Sequence, residues 1–421
     1  MKERLAKDTI LNLNDTFKVV LVTGPRQVGK TTILKELMPD DMTYITLDDE
    51  VLRKKAKENP KGFLEEFPGK LFIDEVQYAP ELLPYIKMNV DSSAIRGQYW
   101  LTGSQQFNLM KNASESLAGR VGILNLNSFS YAEIVENKNF SLFDPINLKK
   151  SDYIDVNQLY ESIFLGGMPD LIAQKNINRD LFFESYINTY IERDIKQLSQ
   201  VGSELTFRQF MVAIASRNGE QLNYSNIANE IGVSSNTVKS WLSILITSGI
   251  VYLLEPFMSN KLKRITHMPK IVFMDTGLCA YLAGWEDARS LQLSSVAGHY
   301  LETYIVSELI KTYNSLGKKL NISYYRDKEK KEIDLIIEKN NTLYPYEIKK
   351  TSNPTGAMIK NFDKLNNTSK NIGEGGIICN YDKLMHLDDK NYIIPISSII
   401  NIKNYYKKVT YSILNMSFLK A

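Results

Sequence analysis

Residues 24–31 read Gly-Pro-Arg-Gln-Val-Gly-Lys-Thr, the glycine, lysine and threonine spacing of a phosphate-binding loop. The loop follows the apolar run Val19–Val22 and precedes a helix-like stretch from Thr32 to Leu37. Strand, glycine loop and helix together place backbone N–H groups and a helix N-terminus around an anion. Gly24, Pro25, Arg26, Gln27, Val28, Gly29, Lys30, Thr31 and Thr32 are therefore the expected cradle for the phosphates of a nucleoside triphosphate. Lys30 would reach the β- and γ-phosphates, and Thr31 would offer its hydroxyl to Mg²⁺.

Farther along, Lys70-Leu-Phe-Ile-Asp74-Glu75 is an apolar strand ending in two carboxylates. Asp74 suits the metal and Glu75 suits general-base work on an attacking water. A third apolar strand from Tyr99 runs into Thr102-Gly-Ser104-Gln105. If it lies beside the Asp74 strand, Ser104 or Gln105 would sense the phosphate or orient water; an ordinary strand-to-loop turn matches the same residues.

The C-terminal third carries a second acidic set. Asp334 sits in one apolar strand and Glu347-x-Lys349 in the next, and a hairpin would bring them together. Period-two alternation puts Glu347 and Lys349 on one face. Two carboxylates can hold Mg²⁺ through oxygen, and a lysine can stabilise charge developing on a phosphodiester. Glu302, on the helix before these strands, would complete the set from the side. This is the D…E-x-K arrangement of restriction-endonuclease-like nucleases; a solvated Glu–Lys pair at a strand end has the same sequence.

These side chains need elements to hold them. Up to about Glu133, apolar strands alternate with helix-period segments, which predicts an α/β fold with a mostly parallel sheet covered by helices. Ser130-Tyr-Ala-Glu133 reads as a capped helix start. Asn137–Asp152 reads as a polar loop, and Asp155–Leu198 as helical, broken at Gly166-Gly-Met-Pro169. Glu204–Pro256 has the parts of a winged helix-turn-helix: Ala228 inside one helix, Gly232 at the turn, Ser-Ser-Asn capping the next, and a wing strand at Ile250–Leu254. In a DNA reader Ser235, Asn236 and Lys239 would face the major groove; a module used only for protein packing fits equally. From Gly298 a helix and three strands follow.

Composition sets the outer limits. The chain has 421 residues, enough for two or three cored domains, and a net charge of +3, so any nucleic-acid binding must come from local patches. Lys311–Lys370 is richer in lysine than the rest. The two cysteines, Cys279 and Cys379, lie in apolar surroundings, which argues against a disulfide scaffold or zinc site. His267, His299 and His386 show no ligand spacing. Met1-Lys-Glu-Arg-Leu lacks a signal-peptide core and no apolar run is long enough to span a bilayer, so a cytoplasmic protein without a membrane partner is expected.

Taken together, these residues resemble a family of bacterial and archaeal AAA+ ATPases of the AAA and DUF4143 type, in which an N-terminal AAA domain is fused to a winged helix and a restriction-endonuclease-like region. The resemblance rests on the loop and on Leu71-Phe-Ile-Asp-Glu-Val-Gln77, Leu101-Thr-Gly-Ser-Gln105, Leu117-Ala-Gly-Arg120, Gly166-Gly-Met-Pro169, Tyr190-Ile-Glu-Arg-Asp194, Phe273-Met-Asp-Thr-Gly-Leu278 and the Asp334, Glu347, Lys349 set. It implies ATP and Mg²⁺ as cofactors and ATP hydrolysis. It implies an AAA+ core at 1–150, a helical lid or connector at 151–200, a winged helix-turn-helix at 201–292 and an endonuclease-like α/β domain at 293–421. It also implies an arginine, Arg120 or Arg193, completing an ATP site in cis or from a neighbouring subunit of a homo-oligomer. A structural ion pair is the other reading of Arg193-Asp194. DNA is the partner expected for the C-terminal module, as nuclease substrate; the alternative is a nucleotide-switched regulator that holds DNA or a protein partner and cuts nothing.

Overall fold

The computed structural model describes residues 2–103, 116–150, 153–174, 176–190, 204–258 and 268–400. Two sheets are joined by a helical middle. The first sheet has strands β1 (Val19–Thr23), β2 (Met42–Thr46), β3 (Lys70–Asp74), β4 (Tyr99–Gly103) and β5 (Val121–Asn125), in the order β2-β3-β4-β1-β5. Every pairing in it is parallel. Parallel strands need crossovers, and helices α1 (Lys7–Thr16), α2 (Lys30–Leu37), α3 (Glu50–Glu58), α4 (Pro60–Glu66) and α5 (Leu82–Asp91) flank the sheet. The three central strands β1, β3 and β4 are nearly continuous apolar runs because both faces are covered: Leu21, Leu71, Ile73 and Leu101 pack on one side, Val20, Val22, Phe72 and Trp100 on the other. All five strands end on the same edge, which brings the loop after β1, the acids ending β3 and the end of β4 together.

The residues after β5 turn away from this sheet. Ser130 and Glu133 form a reciprocal capping box at the short helix Tyr131–Ile134, as their spacing predicts. The middle holds helices Val156–Leu165, Pro169–Ala173 and Arg179–Tyr190, then Glu204–Ala215, Tyr224–Ile231 and Ser235–Thr247, then the antiparallel pair β6 (Val251–Leu254) and β7 (Lys270–Phe273). Asn223 caps one helix through the Asn226 N–H and Ser234 caps the next through the Thr237 N–H. Gly232 closes the turn between them with φ +70°.

A helix of 19 residues, Ala297–Ser315, leads into the second sheet. Its strands are β8 (Ile322–Arg326), β9 (Glu332–Lys339), β10 (Thr342–Lys349), β11 (Asn371–Ile372), β12 (Gly375–Cys379), β13 (Met385–His386) and β14 (Asn391–Pro395). The order is β13-β14-β12-β10-β9-β8, with β11 on β10. β8–β9–β10 are antiparallel neighbours, whereas β12 runs parallel to both β10 and β14. The helix and first three strands match the expectation from sequence; β11 to β14 were not anticipated.

One hydrophobic core runs from Phe143 to Ile400, through the middle helices, the long helix and the second sheet. The cores of the first sheet end at Leu126, so the division drawn from sequence at 150 falls near a change of core, whereas those at 200 and 292 fall within the larger one. Both cysteines are buried and free. Among the described residues no helix is long and apolar enough to cross a membrane.

Candidate functional site

The loop after β1 is built around backbone that few residues tolerate. Gly24 has φ +143°, and a Cβ there would stand 2.0 Å from the Leu126 carbonyl oxygen. Gln27 and Glu75 are non-glycine residues held at φ 59° and 57°, conformations that cost about 1–3 kcal/mol each and tend to gather at functional sites. α2 starts on Gly29 without a side-chain cap, the arrangement in which helix N–H groups serve an anion. Lys30 is buried, and its Nζ donates to the carbonyls of Gly24 at 3.1 Å and Pro25 at 2.7 Å.

Asp74 is the hub of the strand edge. It is 5% exposed and accepts from the hydroxyls of Thr31 (2.9 and 3.0 Å to its two oxygens), Tyr44 (3.1 Å) and Thr102. Three hydroxyl donors offset the cost of burying a carboxylate. Burial, reinforced by Asp74, pushes the Tyr44 phenol up to about 12, so it remains a donor. Thr102 Oγ1 also accepts the backbone N–H of Glu75 at 3.0 Å. The Thr31 hydroxyl and the Asp74 carboxylate are an oxygen pair of the kind Mg²⁺ takes.

A cavity of about 470 Å³ opens over the loop, lined by residues 26–33, Glu75, Lys2, Arg4 and Phe129, and from the middle helices by Pro169, Asp170, Ala173 and Thr189. Gln77 donates to Glu75 beside it. Sequence reasoning passed over Thr102, Tyr44 and Phe129. Thr102 ended a strand already marked, but the role was given to the residues after it. Ser104 and Gln105 lie outside the described residues, as does Arg193.

For Arg120 the fold corrects the cis alternative alone. Its carbonyl accepts the Val19 N–H at the start of β1, the sheet edge opposite the loop. Five strand residues at about 3.3 Å each separate the two edges, so it cannot reach the cavity of its own chain. Its guanidinium instead pairs with Asp91 through Nε at 2.5 Å and Nη2 at 3.0 Å.

The second acidic set gathers, but around lysines. Lys349 Nζ lies 2.7 Å from both Asp334 and Glu347. Asp334 also accepts the Ile348 N–H at 2.8 Å. Glu302 pairs with Lys270 of β7 at 3.1 Å, and Lys270 also pairs with Glu332. Burial first, then Asp334, raises the Glu302 carboxyl to about 7 and the Glu347 carboxyl to about 8; Lys270 and Lys349 pull the other way. Burial works against the charge on Lys349, yet Asp334 and Glu347 hold it above the usual lysine range. Among the described residues no three His, Cys, Asp or Glu side chains form a group able to hold a metal. Glu302, expected to share a metal with Asp334 and Glu347, is turned onto Lys270, which no sequence spacing connected to the set.

The AAA domain family matches residues 16–135, a domain of unknown function (DUF8612) residues 156–289, and a second (DUF4143) residues 297–399. The DUF8612 match takes in the connector and the helix module as one unit. The uncharacterized protein Rv2008c of Mycobacterium tuberculosis is 30% identical over 339 residues, 80% of this chain and 71% of that protein. The uncharacterized protein MJ1637 of Methanocaldococcus jannaschii is 20% identical over 293 residues, 62% and 61% of the two chains. Among solved structures, the Walker-type ATPase PABY2304 of Pyrococcus abyssi superposes with a TM-score of 0.42 at 16% identity, covering 67% of this chain and 96% of that one.

Proposed function

The chain belongs to the family of its mycobacterial relative, with an AAA domain ahead of a DUF4143 domain, and we propose that it is a Mg²⁺-dependent ATPase whose nucleotide state controls a DNA-facing C-terminal module. The observation that carries this is the meeting of Thr31 with Asp74 beside a buried Lys30 at the mouth of one cavity. Lys30 is to move from the loop carbonyls onto the β- and γ-phosphates. Thr31 and Asp74 would hold Mg²⁺, which neutralises phosphate charge when bound. Glu75, at the cavity wall and fixed by Gln77 and Thr102, takes the proton of the attacking water. Because Phe129, Pro169 and Thr189 share this cavity with the loop, the nucleotide would touch the segments that lead into the larger core.

Calorimetry with Mg²⁺ and ATP, followed by turnover, tests this. Lys30→Ala is expected to lose hydrolysis and weaken binding. Glu75→Gln is expected to bind ATP normally and turn over about 10²–10⁴-fold more slowly. Wild-type turnover in Glu75→Gln removes the base assignment, and no heat with either ATP or ADP removes the whole reading.

The C-terminal module has two versions, and each has an observation in its favour. The contact of Asp334, Glu347 and Lys349 supports a restriction-endonuclease-like fold that cleaves. The hold of Lys270 on Glu302 supports a nucleotide-switched regulator, with the helices Tyr224–Ile231 and Ser235–Thr247 as a winged-helix reader that holds DNA uncut. Plasmid incubated with protein, ATP and Mg²⁺ or Mn²⁺ separates them: cleavage abolished in Asp334→Ala supports the nuclease, and an intact plasmid with every metal supports the regulator.

A further inference from the structure

The end of the long helix, the turn after it and the β9–β10 hairpin face the polar segment 141–149 across a cavity of about 820 Å³. Its charges are unevenly spent. Asp144 pairs with Lys339 at 2.8 Å and also accepts the Ile146 N–H at 3.0 Å. Glu338 pairs with Lys370. Both carboxylates of the cavity are thus neutralised. Lys149, Lys318 and Lys319 are exposed on its rim, and among the described residues no carboxylate stands within ion-pair range of them. A concave surface is left with three surplus positive charges drawn from two distant stretches of chain.

We propose that this groove binds the sugar-phosphate backbone of nucleic acid, independently of base sequence. Lysine offers point charges on flexible stems, without the fork that arginine uses to read a base edge, and such contacts position a backbone. Among the described residues the one ring of the lining, Tyr313, is buried with its hydroxyl donated to the Phe143 carbonyl at 2.8 Å, so it offers no face to a base. That disfavours a free nucleotide, which needs a surface for its base. Asn340 and Asn341, in the left-handed turn of the hairpin, set amide groups at the lip for phosphate and sugar oxygens. The groove also lies at the opposite end of the long helix from the acid cluster. Tyr313 and Glu302 are separated by about 17 Å at 1.5 Å per residue, or about five nucleotide steps of 3.4 Å along one strand. The inference rests on the reading of the C-terminal half as DNA-facing and says where the backbone is gripped.

Fluorescence anisotropy of the full chain with short labelled single-stranded and duplex oligonucleotides, over a range of salt, tests it. The Lys149→Gln, Lys318→Gln, Lys319→Gln triple variant is expected to bind at least about tenfold more weakly. Its slope of log affinity against log salt on duplex is expected to fall by about 2–3, because each lost phosphate contact contributes about 0.9. The control Lys328→Gln with Lys330→Gln, on exposed residues outside the groove, is expected to match the wild type, and retained ATP heat shows that the triple variant is folded. An unchanged slope in the triple variant with a loss in Lys239→Gln moves the backbone to the helix Ser235–Thr247; the groove then fails while the DNA-facing reading stands. No oligonucleotide binding by the wild type overturns both. Binding of inorganic tripolyphosphate but not oligonucleotide, sensitive to the triple substitution, overturns the nucleic-acid assignment.

Discussion

Asp74 and Glu347 show how one kind of side chain acquires two characters from its neighbours. Three hydroxyls surround Asp74, two of them from strands next to its own. Glu347 faces another carboxylate, and burial with that repulsion lifts it to about 8. The sign of the pH effect follows. A carboxyl whose folded pKa lies above its unfolded value of 4.5 binds a proton in the folded state that the unfolded chain has released. Stability therefore falls as pH rises from about 4.5 to about 8, and is regained on acidification through that window. Glu302, raised to about 7, adds to the same trend. Glu347→Gln is expected to flatten the denaturation midpoint between about pH 5 and pH 8 relative to wild type. A variant with the wild-type slope would mean that Glu347 holds no extra proton.

At the scale of elements, the long helix ties the two sheets together. Glu308 and Lys311 are 1% and 3% exposed and pair with each other at 3.2 Å. Glu308 accepts the Tyr131 N–H at 2.7 Å, and Lys311 donates to the Phe129 carbonyl at 3.2 Å. The Phe129 N–H in turn donates to the Gly167 carbonyl at 2.8 Å. The segment that lines the cavity over the loop is therefore hydrogen-bonded to both the middle helices and the long helix. Removing one partner of a buried pair leaves the other uncompensated, so Glu308→Ala is expected to cost about 3–5 kcal/mol in denaturant unfolding, whereas Glu308→Leu with Lys311→Met recovers only part of it, because the Tyr131 N–H and the Phe129 carbonyl lose their partners. A loss below about 1 kcal/mol in the single variant would mean that the pair is not seated as described. The helices and strands around these contacts were largely legible in sequence, because their apolar periods and caps are local. The contacts themselves join residues 177 and 182 positions apart, and no local pattern carries that information.

At the scale of the whole molecule, Arg120 sits on the sheet edge away from its own cavity, so completing an ATP site is open to it only in a neighbouring copy. The family resemblance left cis and trans open; the fold closes the first. If Arg120 completes the site of a neighbouring copy, Arg120→Ala loses hydrolysis and mixing it with Lys30→Ala restores part of it, because a mixed assembly contains sites with both residues intact. Wild-type turnover in Arg120→Ala would instead leave its contact with Asp91 as a surface ion pair, worth little to stability.

The sequence alone determined the glycine loop, the two acids after it and the parallel sheet beneath them, because each depends on residues close together in the chain and on strands whose apolar runs announce burial on both faces. It also put Asp334, Glu347 and Lys349 together, since a hairpin is a local structure. Only the tertiary structure decided that Thr102 and Tyr44 share Asp74, that Lys270 claims Glu302, that Arg120 faces away from its own site, and that one core joins the middle helices to the long helix and the second sheet. Those outcomes depend on which distant surfaces pack, and side-chain charges then settle on the partners that packing puts within reach.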